Sequence, residues 1–100
     1  ILWKIFGDRL WDLEVYPLQS FTNFELNIYK TLLAKQGNLI QTSSMGRLFD
    51  AVAALLGICQ VASFEGQAAI AIEQISDATT NDFYGMDVKN DGEIDWTNLI

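Results

Sequence analysis

The sequence predicts a mainly α fold of the α+β class, in which about four helices precede a short C-terminal β-hairpin. Apolar residues recur at spacings of three and four before residue 79, whereas a turn signal separates two short apolar runs after residue 82. Half of the 100 residues are hydrophobic, which suffices for one small domain. Neither Ile1 nor Ile100 resembles a natural terminus. We therefore expect residues 1–100 to form a single partial domain from inside a larger enzyme.

The first helix is expected over residues 1–13, where Leu and Ile spacings are helical and Gly7 weakens the helix. Pro17 and Ser20 then indicate a loop. Thr22 or Asn23 is suited to cap a second helix over residues 24–35. That helix has an apolar stripe, and Gly37 follows it where a left-handed cap is common.

The third helix is expected from Met45 to Leu56, with Ser43 or Ser44 as its N-cap and Gly57 ending it. Its apolar residues cover so much of the circumference that a central, buried position is predicted. The preceding polar stretch begins at Gln41.

A fourth helix, rich in alanine and isoleucine, is expected from Gln67 to Ala78, before Thr79, Thr80 and Asn81. The remaining residues predict a hairpin, in which residues 83–88 and 93–96 are strands and Asn90-Asp91-Gly92 is the turn.

Composition excludes several classes of function. The net charge is −7, and the six basic residues are scattered among 13 acidic ones. Nucleic acid and anionic membranes both attract basic patches, so neither is an expected partner. The chain contains no histidine, which removes the usual general base and metal ligand. Cys59 has no second cysteine to pair with, which fits a reducing compartment and an expected cytoplasmic location.

Two weaker motifs favour structural interpretations. The run from Asp87 to Asp95 resembles the start of an EF-hand loop, but Lys89 occupies a ligand position and Asn98 stands where Glu is required. A hairpin turn explains the run better. Cys59 lacks a cationic neighbour that would activate it, so a packing role is favoured. The tryptophans are likewise expected to pack.

Two segments remain as candidates for a binding site. The first places hydroxyl residues and Gly46 at a helix start, with Asp50 four residues later on the same helix face. Glycine permits close approach of a flat ligand, and an ionised carboxylate can accept two hydrogen bonds from a ribose diol. The alternative is a capped core helix in which Asp50 pairs with Arg47. The second segment places Gly66 at another helix start, where free backbone amide groups could bind a ligand. The alternative is that this segment is an ordinary helix cap.

These two segments resemble one known family. TSSMGRLFDAVAALLG (residues 42–57), followed by SFEGQAA (63–69), closely resembles the hydrogenase-maturation carbamoyltransferases, the HypF proteins. The helical stretch before these runs and IDWT (94–97) after them also resemble that family. The resemblance implies a position in the C-terminal half of a multidomain enzyme that has an actin-like ATPase fold.

The resemblance also implies the chemistry. The family uses carbamoyl phosphate and ATP, forms a carbamoyl-adenylate, and carbamoylates the C-terminal cysteine of the partner HypE for nickel–iron hydrogenase. It implies that Asp50 contacts the ribose of the adenylate and that residues 65–67 touch the nucleoside. The predicted nucleotide-binding residues are Ser43, Ser44, Gly46, Arg47, Asp50, Glu65, Gly66 and Gln67.

No catalytic or metal-binding residue is predicted within the chain. The metal-binding histidine pair and the glycine-rich phosphate loops of the parent are absent, so the metal ion is expected outside this chain and the isolated chain is expected to be inactive. Two alternatives remain open. One is a non-catalytic helical scaffold that docks the rest of the parent or HypE, and the other is a fragment of a tRNA threonylcarbamoyl transferase.

Overall fold

The computed structural model describes residues 1–35, 39–40 and 42–100. Within those ranges, five α-helices and two short 3₁₀ segments precede or flank one antiparallel pair of strands. The predicted fold class, mainly α with a C-terminal hairpin, is confirmed. The elements are α1 (Leu2–Phe6), α2 (Tyr16–Gln19), α3 (Asn23–Ala34), α4 (Met45–Leu55), α5 (Gln67–Ile75), β1 (Asp87–Val88) and β2 (Ile94–Asp95).

The N-terminal segment is not the single helix predicted over residues 1–13. α1 ends at Phe6 because Gly7 has a φ of +53°, outside the helical region, and a 3₁₀ segment, Gly7–Asp12, follows. This segment buries Leu10, which is only 4% exposed. The rings of Trp3 and Trp11 pack against each other with centroids 6.0 Å apart.

The loop predicted at Pro17 and Ser20 is wrong, because α2 occupies this position. Proline lies in the first turn of α2, where its missing N–H would have no helical partner and its fixed φ suits a helix. At the other end, the hydroxyl of Ser20 donates to the carbonyl of Pro17 at 2.7 Å. The two residues therefore delimit a single helical turn.

The predicted second helix is confirmed as α3, with Thr22 as its N-cap. The Glu25 carboxylate accepts from the Thr22 backbone N–H at 2.8 Å, and the Glu25 N–H donates to the Thr22 hydroxyl oxygen at 3.3 Å. This reciprocal capping box satisfies two backbone donors that the helix leaves unpaired. The expected Gly37 cap and the polar residue Gln41 lie outside the described residues.

We expect the capping box to make α3 sensitive to acid. The backbone N–H and the hydroxyl of Thr22 hold the pKa of Glu25 below its usual value of 4.5. A carboxyl group with a lowered folded-state pKa stabilises the fold above its unfolded pKa, and this contribution is lost as pH falls through the folded pKa. Helicity followed by circular dichroism should therefore decrease below the usual glutamate pKa.

Two substitutions separate the contribution of the Thr22 cap from that of the ionised Glu25 carboxylate. Thr22→Ala should cost about 1 kcal/mol at neutral pH, as is typical for loss of an N-cap. Glu25→Gln should remove this acid-dependent step while it retains the Thr22 cap. A transition in Glu25→Gln identical to that of the unmodified chain would assign the acid sensitivity to other carboxylates.

The third predicted helix is confirmed as α4, and it ends in a Schellman motif. Gly57 has a φ of +73°, its N–H donates to the Ala54 carbonyl at 3.1 Å, and the Ile58 N–H donates to the Ala53 carbonyl at 2.9 Å. α4 packs against both α2 and α5, so its predicted central position is correct. Its predicted burial is only partly correct: Ala53 is fully buried, whereas Phe49 is 43% exposed.

The fourth predicted helix is α5, but it ends at Ile75 and not at Ala78. Ser76 adopts an extended conformation, and its hydroxyl donates to the carbonyl of Glu73 at 2.7 Å. Asp77 then accepts from the Thr79 N–H at 2.8 Å and from the Thr79 hydroxyl, which lowers the pKa of Asp77. These side-chain bonds to nearby backbone compete with continuation of the helix.

The predicted hairpin is confirmed, although its strands are shorter than expected. Asp87 pairs with Asp95 and Val88 with Ile94. The Lys89 N–H donates to the Glu93 carbonyl at 2.8 Å and the Gly92 N–H donates to the Lys89 carbonyl at 2.9 Å, with Gly92 at a φ of +83°. This is the three-residue loop with a glycine bulge. Residues 83–86, predicted as strand, are unpaired.

Candidate functional site

The first candidate segment leads directly into α4. Ser44 occupies the N-cap position, but its side chain makes no capping hydrogen bond. The Thr42 hydroxyl oxygen instead accepts from the Ser44 N–H at 3.2 Å, which turns the chain into the helix. Ser43 and Ser44 are both exposed, so their hydroxyl groups face outward at the start of α4.

Asp50 lies one turn into α4, where it pairs with Arg47. The Arg47 Nη1 atom lies 2.8 Å from Asp50 Oδ2, and the two side chains are 72% and 37% exposed. An ion pair with this exposure contributes little to stability because water screens it. Among the described residues, Asp50 Oδ1 has no hydrogen-bond partner. The carboxylate therefore retains one acceptor for another group.

Gly46 and Asp50 are one turn apart on α4, as predicted. A Cβ added at Gly46 would meet only the Ser44 Oγ atom, at an ordinary contact distance of 3.5 Å. The helix surface beside Gly46 is therefore open, although the described packing does not itself require glycine there.

The second candidate segment forms the start of α5. Gly66 is the N-cap residue and has a φ of +81°, and no atom lies within 4 Å of a Cβ placed on it. The Gln67 side-chain oxygen accepts from the Ser63 N–H at 2.6 Å, so Gln67 fixes the loop that precedes the helix. Glu65 is exposed.

The free amide groups expected at this helix start are those of Ala68 and Ala69. No backbone hydrogen bond to either is found among the described residues, as expected for the first turn of a helix. Such amides, together with the positive end of the helix dipole, favour an anionic group nearby. The glycine immediately before the helix is the sequence signal that identifies this helix start.

α4 and α5, which hold the two candidate segments, pack against each other. Each helix contributes one alanine to the small core: Ala53 is fully buried and Ala68 is 2% exposed. No hydrogen bond joins the first segment to the second within the described ranges. None of the predicted nucleotide-binding residues lines any of three shallow cavities on the described surface. An adenylate site built from both segments would require Gly46, Asp50 and Gly66 to line one common groove, and this requirement stays a prediction.

Other features bear on which ligands could bind. In the part of the chain that the structure describes, no three His, Cys, Asp or Glu side chains come close enough to hold a metal ion. Cys59 is half-buried, and its Sγ atom lies 3.6 Å from the carbonyl oxygen of Val61. Over the same ranges, no helix combines the length and apolarity needed to cross a bilayer.

Comparison of the sequence with known proteins places the chain in a family. Residues 2–100 match the family described as "Carbamoyltransferase, Kae1-like Domain, second subdomain". The chain is 34% identical over 119 residues to the carbamoyltransferase HypF of Synechocystis, and the match covers 100% of the chain and 15% of that relative. It is 35% identical over 82 residues to a probable carbamoyltransferase HypF of Methanocaldococcus jannaschii, covering 82% of the chain and 11% of that relative.

The chain thus spans only about a seventh of the length of the Synechocystis relative and less of the archaeal one. No solved structure matches it significantly. The Kae1-like description agrees with the actin-like architecture that the resemblance implies. Because the match extends over nearly every residue, the chain belongs to the family of carbamoyltransferase Kae1-like domains and corresponds to their second subdomain.

Proposed function

We propose that this chain is part of a cytoplasmic carbamoyltransferase that uses carbamoyl phosphate and ATP to carbamoylate the C-terminal cysteine of HypE during nickel–iron hydrogenase maturation. The observation that supports this proposal most is the family match over residues 2–100. Within the enzyme, the chain would supply one wall of the adenylate site. The metal ion and the reacting centre would lie in other parts of the enzyme, since this chain has no histidine.

Asp50 is the residue that would recognise the nucleoside. Its Oδ1 atom has no hydrogen-bond partner among the described residues, and its side chain is 37% exposed. A carboxylate in this position can accept from a ribose hydroxyl group without losing its pair with Arg47. Hydrogen bonds to charged groups are stronger than those between neutral groups, so Asp50 would hold the sugar in a fixed orientation.

The start of α5 would contribute backbone and not side-chain contacts. The space beside Gly66 is open, which lets a flat group approach the main chain, and the free amide of Ala69 can donate to it. When bound, ATP would give the carbamoyl carbon AMP as a good leaving group, with release of pyrophosphate. This chain's own contribution would be to orient the nucleoside and exclude water from one side.

The decisive test compares Asp50→Ala with Arg47→Ala in the full-length enzyme. Both substitutions remove the same ion pair, so both should have the same small effect on stability. Asp50→Ala should reduce carbamoyl transfer to the HypE cysteine by roughly tenfold or more, the loss expected for a hydrogen bond to a charged group. Arg47→Ala should reduce it less, because it leaves the Asp50 carboxylate in place to accept from the ribose.

Two assays separate the half-reactions. Carbamoyl-phosphate-dependent exchange of pyrophosphate into ATP measures activation, and carbamoyl transfer to HypE measures the second step. Loss of transfer with exchange intact would assign Asp50 to an adenylate site used in the second step. Equal and full activity of Asp50→Ala and Arg47→Ala in both assays would make Asp50 a structural residue and overturn its proposed role.

A helical scaffold is the second candidate, and the Arg47–Asp50 ion pair is the observation that favours it. In this interpretation the ion pair only stabilises one turn of α4, and the chain packs against neighbouring parts of the enzyme to position them. It predicts that the two alanine variants are indistinguishable in every assay, which is the outcome that separates it from the leading proposal.

A further inference from the structure

The longest described helix, α3, has an apolar face that nothing in the described chain covers. We call this the outer face of α3. It is formed by Phe24, Ile28 and Leu32, which recur every four residues and so lie along one side of the helix. They are 74%, 42% and 41% exposed. No residue of α3 is buried, although the helix has a complete capping box.

The opposite face of α3 holds the helix to the rest of the chain. The rings of Tyr29 and Phe21 have centroids 4.9 Å apart, and the Lys30 ammonium lies 5.3 Å above the Trp11 ring. Leu26 and Leu33 on this side are half-buried. α3 therefore has apolar residues on two opposite sides, and the described chain contacts only one of them.

The chemistry of the outer face limits what could cover it. Its three apolar residues, with Asn27 and Thr31, line a shallow groove of about 340 Å³ that contains no charged side chain. The fully buried centres of protein interfaces are depleted in charge, and permanent interfaces resemble a domain core cut in two. Nucleic acid or an anionic membrane would require cations that this surface does not offer.

The family description indicates what covers the outer face. The chain matches the second subdomain of a Kae1-like domain, so the same domain includes a first subdomain. The match also accounts for only 15% and 11% of the length of the two relatives, which leaves ample chain to supply it. We propose that the outer face of α3 docks against the first subdomain of the same polypeptide. This inference depends on family membership and not on the adenylate role of Asp50.

A photo-crosslinking experiment on the full-length enzyme tests the proposal. A benzophenone amino acid replaces Ile28 in one variant and Asn23 in another, and mass spectrometry locates the product. The two positions are five residues apart, about 140° around the helix, so Asn23 is a matched control away from the face. The Ile28 probe should crosslink within the same polypeptide, to the first subdomain, and the Asn23 probe should give much less of that product.

Charge substitution provides an independent readout in the same protein. Ile28→Glu places a carboxylate in the proposed interface, whereas Asn23→Glu places one outside it. Ile28→Glu should accelerate limited proteolysis between the two subdomains by about tenfold or more, because an unpaired charge is costly to bury. Asn23→Glu should leave the rate unchanged.

Three outcomes would overturn the inference. A crosslink of doubled mass would show that a second copy covers the outer face. A crosslink from Ile28 only to other residues of the 100-residue segment would show that the segment covers its own helix. Failure of the Ile28 probe to crosslink, combined with a proteolysis rate for Ile28→Glu equal to that of Asn23→Glu, would show that the face is open to solvent. None of these results would alter the assignment of Asp50.

Discussion

Gly57→Ala is expected to destabilise the chain by about 3 kcal/mol. Gly57 has a φ of +73°, and a Cβ placed on it would lie 2.8 Å from Cδ2 of the Tyr16 ring. A left-handed backbone costs a non-glycine residue roughly 1–2 kcal/mol, and forced packing adds typically ~1–3 kcal/mol. The substitution should also weaken the Schellman motif that ends α4. Urea unfolding followed by circular dichroism measures the loss.

Two controls separate the backbone cost from the clash. Gly66 has a similar φ of +81° but open space around it, so Gly66→Ala should cost only the backbone part, roughly 1–2 kcal/mol. Adding Gly57→Ala to a Tyr16→Ala background should reduce the cost of the glycine substitution to that same value. A cost for Gly57→Ala no greater than that of Gly66→Ala would mean that the Tyr16 ring moves aside freely.

Ala53→Leu is expected to cost about 2 kcal/mol, within the ~1–3 kcal/mol typical of overpacked cores. Ala53 is fully buried, with no accessible surface, and its carbonyl accepts from the backbone N–H groups of both Ile58 and Cys59. A larger side chain must therefore push α4 away from its neighbours and disturb the turn that ends it. The same unfolding measurement gives the cost.

The matched control is Ala34→Leu, at an exposed helical position on α3. Alanine and leucine differ by only a few tenths of a kcal/mol in helix propensity, so this change should be nearly neutral. If Ala53→Leu were equally neutral, the contact between α4 and α5 would be loose enough to accommodate extra methyl groups. The buried alanine would then not determine how closely the helices approach.

The sequence predicted best the features that depend on a few adjacent residues. The sequence identifies Thr22 as a possible cap and the Asn90-Asp91-Gly92 run as a turn, because capping boxes and hairpin loops form from local backbone chemistry. Pro17 predicts a loop incorrectly, because proline is equally suited to a loop and to a first helical turn. Gly7 predicts only a weakened helix, because whether such a glycine interrupts the helix depends on packing elsewhere.

The sequence could predict which residues belong to the candidate site, but not the contacts or the backbone conformations that they adopt. The spacing of Arg47 and Asp50 allowed an ion pair, and that pair forms. The same spacing allowed a ribose contact, which depends on atoms outside the described chain. For Gly66, the sequence indicated a helix start, but the positive φ and the open space beside it come from the loop that Gln67 holds in place.

The unpaired residues before β1 have a consequence for handling the chain alone. Phe83, Tyr84 and Met86 are each more than half exposed, and no strand among the described residues pairs with their backbone. Exposed apolar segments without a partner strand can pair with other copies and promote aggregation. Asp82 and Asp87 flank this segment, and charges in such positions act as gatekeepers against growth of fibrils. Solubility of the isolated chain should therefore depend on those two carboxylates as much as on its helices.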